Sequence, residues 1–332
     1  MMEYYYLIIV IIFHAVLLIA QMARTVGTGS VSPRSVSVST TLKQGLVVIP
    51  GLGRTDRLKT VEHNIKLLEP YFQGTEPMLE CIIYVYTSRD SDSDFWQNDK
   101  SLNYIAKYCT FIENHGRRIT ENLFLVQPSL IEKIFDFVFI LFDDCKLVSV
   151  TSDGAGKERF PLDRLLHLMD SNQLSIVSPL VNGANKGGGQ QFRTIMQRPA
   201  VAGTEGYVSS FVEMFCWVIR YPAYKALWEL LYPSVNPYGW GYDFWYDFYG
   251  KQNVPGHKMG IASRVEVKHE QDFSLPGEGR TDTASVKEKW QGVQDQEKLY
   301  KTHLDIDLPF IRKQLDLKNS SWNGAVKGYL YG

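Results

Sequence analysis

The fold is decided by an apolar run that ends in two carboxylates, residues 137–144 (FVFILFDD). A strand that is apolar on both faces is typical of the centre of a parallel sheet. Further strands are predicted at 46–49 and 81–86, and a helix with regularly spaced apolar residues is predicted to begin near Asp56. This alternation of strand and helix predicts an α/β fold with an open, mostly parallel sheet flanked by helices.

The second half of the chain continues the alternation. Strands are predicted at 175–178, 211–219 and 264–269, and the polar tail contains one helix-like segment at 285–300. The glycine-rich residues 182–191 contain no aliphatic run and are expected to form a loop. Residues 43–332 are therefore interpreted as one large domain.

The N-terminus is interpreted as a targeting signal followed by a stem. Residues 4–20 contain no charged side chain, and their length is at the low end for crossing a bilayer. Residues 1–23 form either a signal anchor or a cleaved signal peptide, with a buried core helix as the competing interpretation. Residues 24–42 are rich in Ser, Thr and Gly, as expected of a linker. Basic residues that follow the apolar segment, beginning with Arg24, favour a cytoplasmic domain under the positive-inside rule.

Charge and cysteine content narrow the classes of function. The formal net charge of −1 provides no overall basic surface, so no nucleic-acid partner is expected. The cysteines are widely spaced and form no metal-finger pattern. They are expected to be buried thiols, and one disulfide of undetermined pairing stays open for a luminal domain. The four cysteines are Cys81, Cys109, Cys145 and Cys216.

The carboxylates Asp143 and Asp144 form the first candidate site. They directly follow the predicted central strand, and ligands of open α/β sheets bind outside the carboxyl ends of the strands. Two carboxylates at this position can hold a hard divalent ion, which in turn can hold a diphosphate. The competing interpretation is that Asp143 caps a loop and Asp144 is only solvated.

The segment 239–243 (GWGYD) is the second candidate. Glycines on both sides of Trp240 indicate a tight loop whose backbone can approach a flat ligand. Asp243 could act as a general base toward a hydroxyl group. The competing interpretation is an aromatic core segment in which Asp243 is the N-cap of a helix.

Three further residues are candidates. Strand alternation would place Glu213 on an apolar face, where its carboxylate either pairs with a buried cation or lines a cleft. His269 ends the predicted strand at 264–269 and is a candidate metal ligand. Arg54 suits a phosphate, although the glycines at 51–53 are no dinucleotide-binding motif, because Asp56 stands where that motif needs glycine.

Taken in order, the Asp pair, the Glu-bearing segment, Gly-Trp-Gly-x-Asp and the late Val-x-His resemble the nucleotide-sugar-dependent glycosyltransferases of the GT-A fold. The resemblance covers residues 45–270 and is greatest to a plant and algal family of unknown function that is described as glycosyltransferase-like. It implies a Rossmann-type, mostly parallel sheet with a smaller antiparallel part. It also implies transfer of a sugar from a nucleotide-sugar donor to the hydroxyl of a glycan, lipid or protein.

The resemblance assigns a divalent metal site to Asp143, Asp144 and His269, with Mn²⁺ or Mg²⁺ as the ion. Convergence on one ion requires a carboxylate oxygen of the pair within about 5–6 Å of the His269 ring. The sequence departs from the family at Cys145, where a third acidic residue is expected. Because thiolate is a soft ligand, this departure weakens the expectation of metal binding.

The remaining roles follow from the same resemblance. Asp243 and Glu213 are the catalytic candidates, whereas Arg54 and Trp240 are candidates for donor binding. Two other hypotheses stay open: a non-catalytic carbohydrate-binding or scaffold protein on the same fold, and a divalent-metal hydrolase. The resemblance places the domain in the lumen of the Golgi or ER, anchored through residues 4–20, or secreted if that segment is cleaved.

Overall fold

The computed structural model describes residues 43–73, 78–87, 94–115, 117–151, 158–182, 199–239, 241–270, 286–304 and 326–331. The predicted targeting segment and stem lie outside these described residues, as does Trp240. In the described part of the chain, no helix combines the length and apolar character needed to span a bilayer.

The described residues form twelve strands and eight helices. The strands are β1 (Gly45–Leu52), β2 (Leu79–Val85), β3 (Cys109–Glu113), β4 (Phe137–Leu141), β5 (Cys145–Leu147), β6 (Val150–Thr151), β7 (Glu158–Arg159), β8 (Ile176–Asn182), β9 (Gly206–Ser209), β10 (Cys216–Arg220), β11 (Met259–His269) and β12 (Val326–Leu330). The helices are α1 (Thr55–Phe72), α2 (Asp99–Ile105), α3 (Ile119–Leu125), α4 (Pro128–Ile131), α5 (Leu162–Ser171), α6 (Tyr221–Leu230), α7 (Tyr242–Asn253) and α8 (Val286–His303).

One large sheet organises the molecule, with the strand order β3-β2-β1-β4-β10-β8-β11-β9-β12. Strands β3, β2, β1 and β4 are parallel, and β8 and β11 are parallel to each other. Strand β10 is antiparallel to both β4 and β8, β9 is antiparallel to β11 and β12, and β5 adds an antiparallel pairing to β11. The predicted α/β class, a mostly parallel sheet with a smaller antiparallel part, is confirmed.

Strand β4 shows why the central run is apolar on both faces. Val138 and Ile140 belong to a core cluster that also contains buried residues of α6, α7 and α8. Phe137 and Phe139 belong to a second cluster with buried residues of α1 and α5. Successive side chains of a strand point to opposite faces, so a strand covered by helices on both sides has no polar position.

Most predicted elements are confirmed, with one error that affects a site residue. The strand predicted at 211–219 begins only at Cys216, and Glu213 lies in an irregular segment before it. The backbone N–H of Phe211 donates a hydrogen bond to Ser209 Oγ at 3.1 Å. The Phe211 N–H is thus engaged by a side chain of its own segment and not by a neighbouring strand.

The cysteines divide into two pairs. Cys81 and Cys109 are register partners on the parallel strands β2 and β3, with Cα atoms 4.5 Å apart, and they form a disulfide. Cys145 and Cys216 are free and buried. The expectation of buried thiols is therefore wrong for the first pair, because strand register places those two residues opposite each other, which spacing along the chain does not show.

Candidate functional site

The ends of two distant strands bring Asp144 and His269 into contact. Asp144 follows β4, and His269 is the last residue of β11, where it pairs in register with Cys145 of β5. His269 Nε2 donates to Asp144 Oδ2 at 3.0 Å, and the His269 side chain is 4% exposed. This distance meets the geometric prediction. We call Asp143, Asp144 and His269 the carboxylate half of the site.

Neighbouring groups hold this contact in place. The ring of Phe215 stacks on the ring of His269, with centroids 4.3 Å apart. The backbone N–H of Glu270 donates to the Asp144 carbonyl at 2.7 Å. The imidazole and the carboxylate are therefore fixed both by side-chain stacking and by the main chain that carries them.

Side chains of helix α1 hold the segments that carry the carboxylate half. Asn64 is fully buried, its Nδ2 donates to the Cys145 carbonyl at 2.6 Å, and its Oδ1 accepts from the Leu147 N–H at 2.8 Å. The Arg57 guanidinium donates to the Glu270 carbonyl, and the Thr60 hydroxyl donates to Glu270 Oε2 at 2.7 Å. One face of α1 thus secures β5 and the end of β11, the two segments that flank the Asp144–His269 contact.

The two adjacent carboxylates have opposite electrostatic environments. Burial and then the neighbouring Asp144 carboxylate raise the pKa of Asp143 above its ordinary value. Burial alone would also raise the pKa of Asp144, but His269 and Arg57 outweigh it and hold that pKa below its ordinary value. Asp144 is therefore the ionised partner of His269, whereas Asp143 is biased toward its neutral form until a cation approaches.

The donor set fits a hard divalent ion in part. Asp144 Oδ2 and His269 Nε2 share a hydrogen bond at 3.0 Å, and both would contact a divalent ion that displaced the shared proton. Within the described ranges, no three His, Cys, Asp or Glu side chains are grouped so as to hold a metal. Asp144 and His269 would therefore supply two ligands, and the others would have to come from outside this pair.

Cys145 lies beside the carboxylate half and is fully buried in the core cluster on the α1 side of the sheet. Its Sγ donates to Asp144 Oδ1 at 3.8 Å. Burial, and then the nearby Asp144 carboxylate, raise the pKa of this thiol well above its ordinary value, so the sulfur stays protonated. The thiol therefore contacts Asp144 as a hydrogen-bond donor and supplies no third acidic ligand.

Arg54 lies beside the carboxylate half at the start of α1. Its guanidinium forms two hydrogen bonds with Asp56, at 2.9 and 2.7 Å. The Asp56 hydrogen bond, followed by smaller effects that include Tyr86 and Asp143, raises the pKa of Arg54. A positive charge therefore stands close to the Asp pair, although Asp56 already engages it.

Two glycines after Tyr238 adopt left-handed backbone conformations, and a helix begins directly after the second of them. Gly239 and Gly241 have φ angles of +77° and +89°, which side chains other than glycine rarely adopt. Gly241 is the N-cap of α7, and Asp243 lies in the first turn, where the helix dipole favours a negative charge. Asp243 is thus not the N-cap. We call Gly239, Gly241 and Asp243 the loop half of the site.

The irregular segment before β10 connects the two halves. A Cβ atom at Gly239 would lie 3.8 Å from Met214 Cε, and the next residue, Phe215, stacks on His269. Glu213 precedes both and is half-buried. It lies at the same edge of the sheet as predicted for a cleft residue, but not on a strand.

Sequence patterns missed several supporting residues. Asn64 supports the carboxylate half, and Asn236 and Gln296 pack against the loop half; all three are fully buried. Their contacts span 81 and 60 positions of the chain. No local sequence pattern marks these residues. Once the fold is known, they are distinguished by a fully buried side-chain amide, which is unusual for Asn and Gln.

No protein-family model matches the chain, and no curated protein is similar enough in sequence to count as a match. Nothing therefore supports the narrower assignment to the plant and algal family.

The chain is similar to a number of solved structures, all three of those given below at low sequence identity. One is GalNAc-T7 with UDP, GalNAc and Mn²⁺, with 12% identity and a TM-score of 0.49, and the match covers 83% of this chain and 55% of that one. Another is S. aureus TarS, with 10% identity and a TM-score of 0.48, and the match covers 84% of this chain and 44% of that one. A third is the mannosyltransferase PcManGT from Pyrobaculum calidifontis with GDP-Man and Mn²⁺, with 11% identity and a TM-score of 0.41, and the match covers 81% of this chain and 68% of that one.

The chain spans about half the length of the first two of these structures. At these identities and TM-scores the likeness does not bear on the site, and the fold class rests on the sheet topology of the chain itself.

Proposed function

We propose that this protein transfers a sugar from a nucleotide-sugar donor to an acceptor hydroxyl and that it uses a divalent cation. The observation that carries the proposal is the Asp144–His269 contact at the carboxyl edge of the sheet. This edge is where open α/β sheets bind their ligands. A hard oxygen donor beside an imidazole suits Mn²⁺ or Mg²⁺ and, through that ion, a diphosphate.

Each half of the site has its own task in this proposal. A cation held by Asp144 and His269 would neutralise the diphosphate that leaves the sugar. Asp243 would accept the proton of the acceptor hydroxyl as its oxygen bonds to the sugar and the bond between sugar and diphosphate breaks. Arg54 would add positive charge next to the diphosphate once Asp56 releases it, and Trp240 would contact the sugar. Glu213 would line the cleft between the two halves.

A second candidate function is a non-catalytic protein that binds a nucleotide-sugar or a glycan on the same fold. It is favoured by the absence, within the described ranges, of a third acidic or histidine ligand beside Asp144 and His269. The two candidates differ in turnover and not in donor binding, so binding alone does not separate them.

We also propose a luminal location in the secretory pathway. The disulfide between Cys81 and Cys109 supports it, because disulfides persist mainly in oxidising compartments. Protection of residues 43–332 from protease in intact microsomes, and loss of that protection in detergent, would agree with this location. Complete digestion without detergent would contradict it.

The function is tested by titrating the full-length protein with a panel of UDP- and GDP-sugars, with Mn²⁺ or with EDTA, in a calorimeter. The enzyme proposal expects binding that needs Mn²⁺, together with release of free nucleotide when a mixed panel of acceptors is added. Binding without release favours the non-catalytic candidate, and no binding of any donor rejects both.

A further inference from the structure

The tail helix α8 packs directly beneath the loop half of the site. Gln296 of α8 is fully buried, and its Oε1 accepts a hydrogen bond from Asn236 Nδ2 at 2.6 Å. Its Nε2 donates to the Leu230 carbonyl at 3.2 Å and also to the Tyr300 hydroxyl. One amide therefore connects α8 to the end of α6 and to the segment that leads into the loop half.

Asn236 also forms hydrogen bonds with two residues next to Gly239 and Asp243. Its Oδ1 accepts from the Tyr238 N–H at 3.3 Å, and its carbonyl accepts from the Tyr242 hydroxyl at 3.2 Å. Tyr238 directly precedes Gly239, and Tyr242 directly precedes Asp243. The Asn236 side chain and backbone thus hold both ends of the loop half.

Packing between α8 and the loop half leaves little room. A Cβ atom at Gly241 would lie 3.2 Å from both methyl carbons of Val293 on α8, and one at Gly292 would lie 3.3 Å from Asn236 Oδ1. Trp245 of α7 packs edge-on against Tyr300 of α8, with ring centroids 4.7 Å apart. The helix fits the loop closely, so a shift of one requires a shift of the other.

We infer that Gln296 is a positioning residue, which acts through Asn236 to hold Gly239, Gly241 and Asp243 in their site conformation. Helix α8, which comes from the polar tail, thus supports the site, although none of the predicted ligands or catalytic residues lies on it. It deepens the proposed function, because it rests on Asp243 acting on the acceptor, yet the loop conformation itself can be measured without any substrate.

The test compares Gln296→Met and Gln296→Glu in the full-length protein by amide hydrogen exchange. Met keeps the size of the side chain but removes every hydrogen bond. Glu keeps an acceptor for Asn236 and, because burial favours its neutral form, one donor. Gln296→Met should speed exchange at the Tyr238 amide, which donates to Asn236 Oδ1, about five- to tenfold, as expected for the loss of one buried hydrogen bond. Gln296→Glu should restore most of the protection.

Asn64→Leu is the matched control, because Asn64 is an equally buried amide that supports the carboxylate half. It should weaken Mn²⁺-dependent nucleotide binding and leave exchange at the Tyr238 and Tyr242 amides unchanged. Gln296→Met should speed the exchange and leave Mn²⁺-dependent nucleotide binding unchanged. If the wild type transfers sugar, the kcat of Gln296→Met should fall while its KM for the donor stays within about twofold of the wild-type value.

The outcomes separate the inference from the function on which it rests. Altered exchange in Gln296→Met with no nucleotide binding in any variant retains the positioning role and rejects the proposed function. Unchanged exchange in a folded Gln296→Met protein overturns the inference, and so does an exchange increase spread evenly over all eight helices. If Gln296→Met does not fold, Gln296→Ala, which also removes the hydrogen bond to Asn236 and adds no apolar bulk, must show the same local effect.

Discussion

The two halves of the site are held by different kinds of structure. The carboxylate half lies at strand ends, where main-chain pairing of β11 with β5 sets the distance between Asp144 and His269. The loop half lies between helices and is held by buried side-chain amides. The comparison teaches that at strand ends the main-chain ladder sets the positions, and a distant buried amide, Asn64, reinforces them. A residue delivered by a turn has no such ladder and depends on side-chain hydrogen bonds and packing alone.

The largest effect should follow from Asp243→Asn, which removes the proposed general base without changing size. Loss of a positioned base costs about 10²–10⁴-fold in turnover. Steady-state kinetics should show this loss, while calorimetry shows unchanged Mn²⁺-dependent nucleotide binding. An equal fall in nucleotide affinity would mean that the two halves do not have separate tasks.

The next effect is the loss of donor binding in Asp144→Ala and His269→Ala. Each change removes a proposed ligand, and the loss should reach at least about 100-fold in nucleotide affinity, the upper end of what outer-sphere partners contribute. His303→Ala, at an exposed histidine of α8, is the control and should bind normally. Nucleotide binding that survives in both ligand variants would remove the metal from the proposed function.

A smaller effect is expected at Cys145. It distinguishes a role in core packing from the metal-ligand role that the family resemblance assigns to this position. Cys145→Asp would bury a carboxyl group in an apolar cluster, so the free energy of unfolding should fall by about 2–4 kcal/mol. Cys216→Asp, at the other buried free thiol, should behave alike in chemical denaturation. Stronger Mn²⁺ binding in Cys145→Asp but not in Cys216→Asp would instead show that position 145 can supply a metal ligand.

The smallest effect concerns the fit of the loop half against α8. Gly241→Ala must adopt a positive φ and also press on Val293, and we expect a loss of about 2 kcal/mol in the free energy of unfolding. Gly256 is the matched control, because its φ is +67° but no atom lies within 4 Å of an added Cβ. Gly256→Ala should cost only the conformational part, about 1 kcal/mol. Equal losses in thermal unfolding would mean that α8 does not restrict the loop.

Much of the fold could be predicted from local patterns, because an apolar strand or an amphipathic helix carries its signal in neighbouring residues. The central strand, the helix after β1 and the tail helix α8 were all predicted in this way. The proximity of Asp144 and His269 was expected from the resemblance to the GT-A glycosyltransferases and not from a local pattern, and the structure has them in contact. The roles assigned to Asp243, Glu213, Arg54 and Trp240 stay predictions.

The sequence by itself determined the strands β1, β2 and β4 and the two carboxylates that follow β4, because an apolar run and its end are visible in neighbouring residues. Only the tertiary structure decided that β5, β9 and β12 join the sheet, that Cys81 faces Cys109, and that Gln296 reaches Asn236. Each of these contacts joins residues separated by strand register or helix packing. Those distances are set when the elements assemble, and no local pattern encodes them.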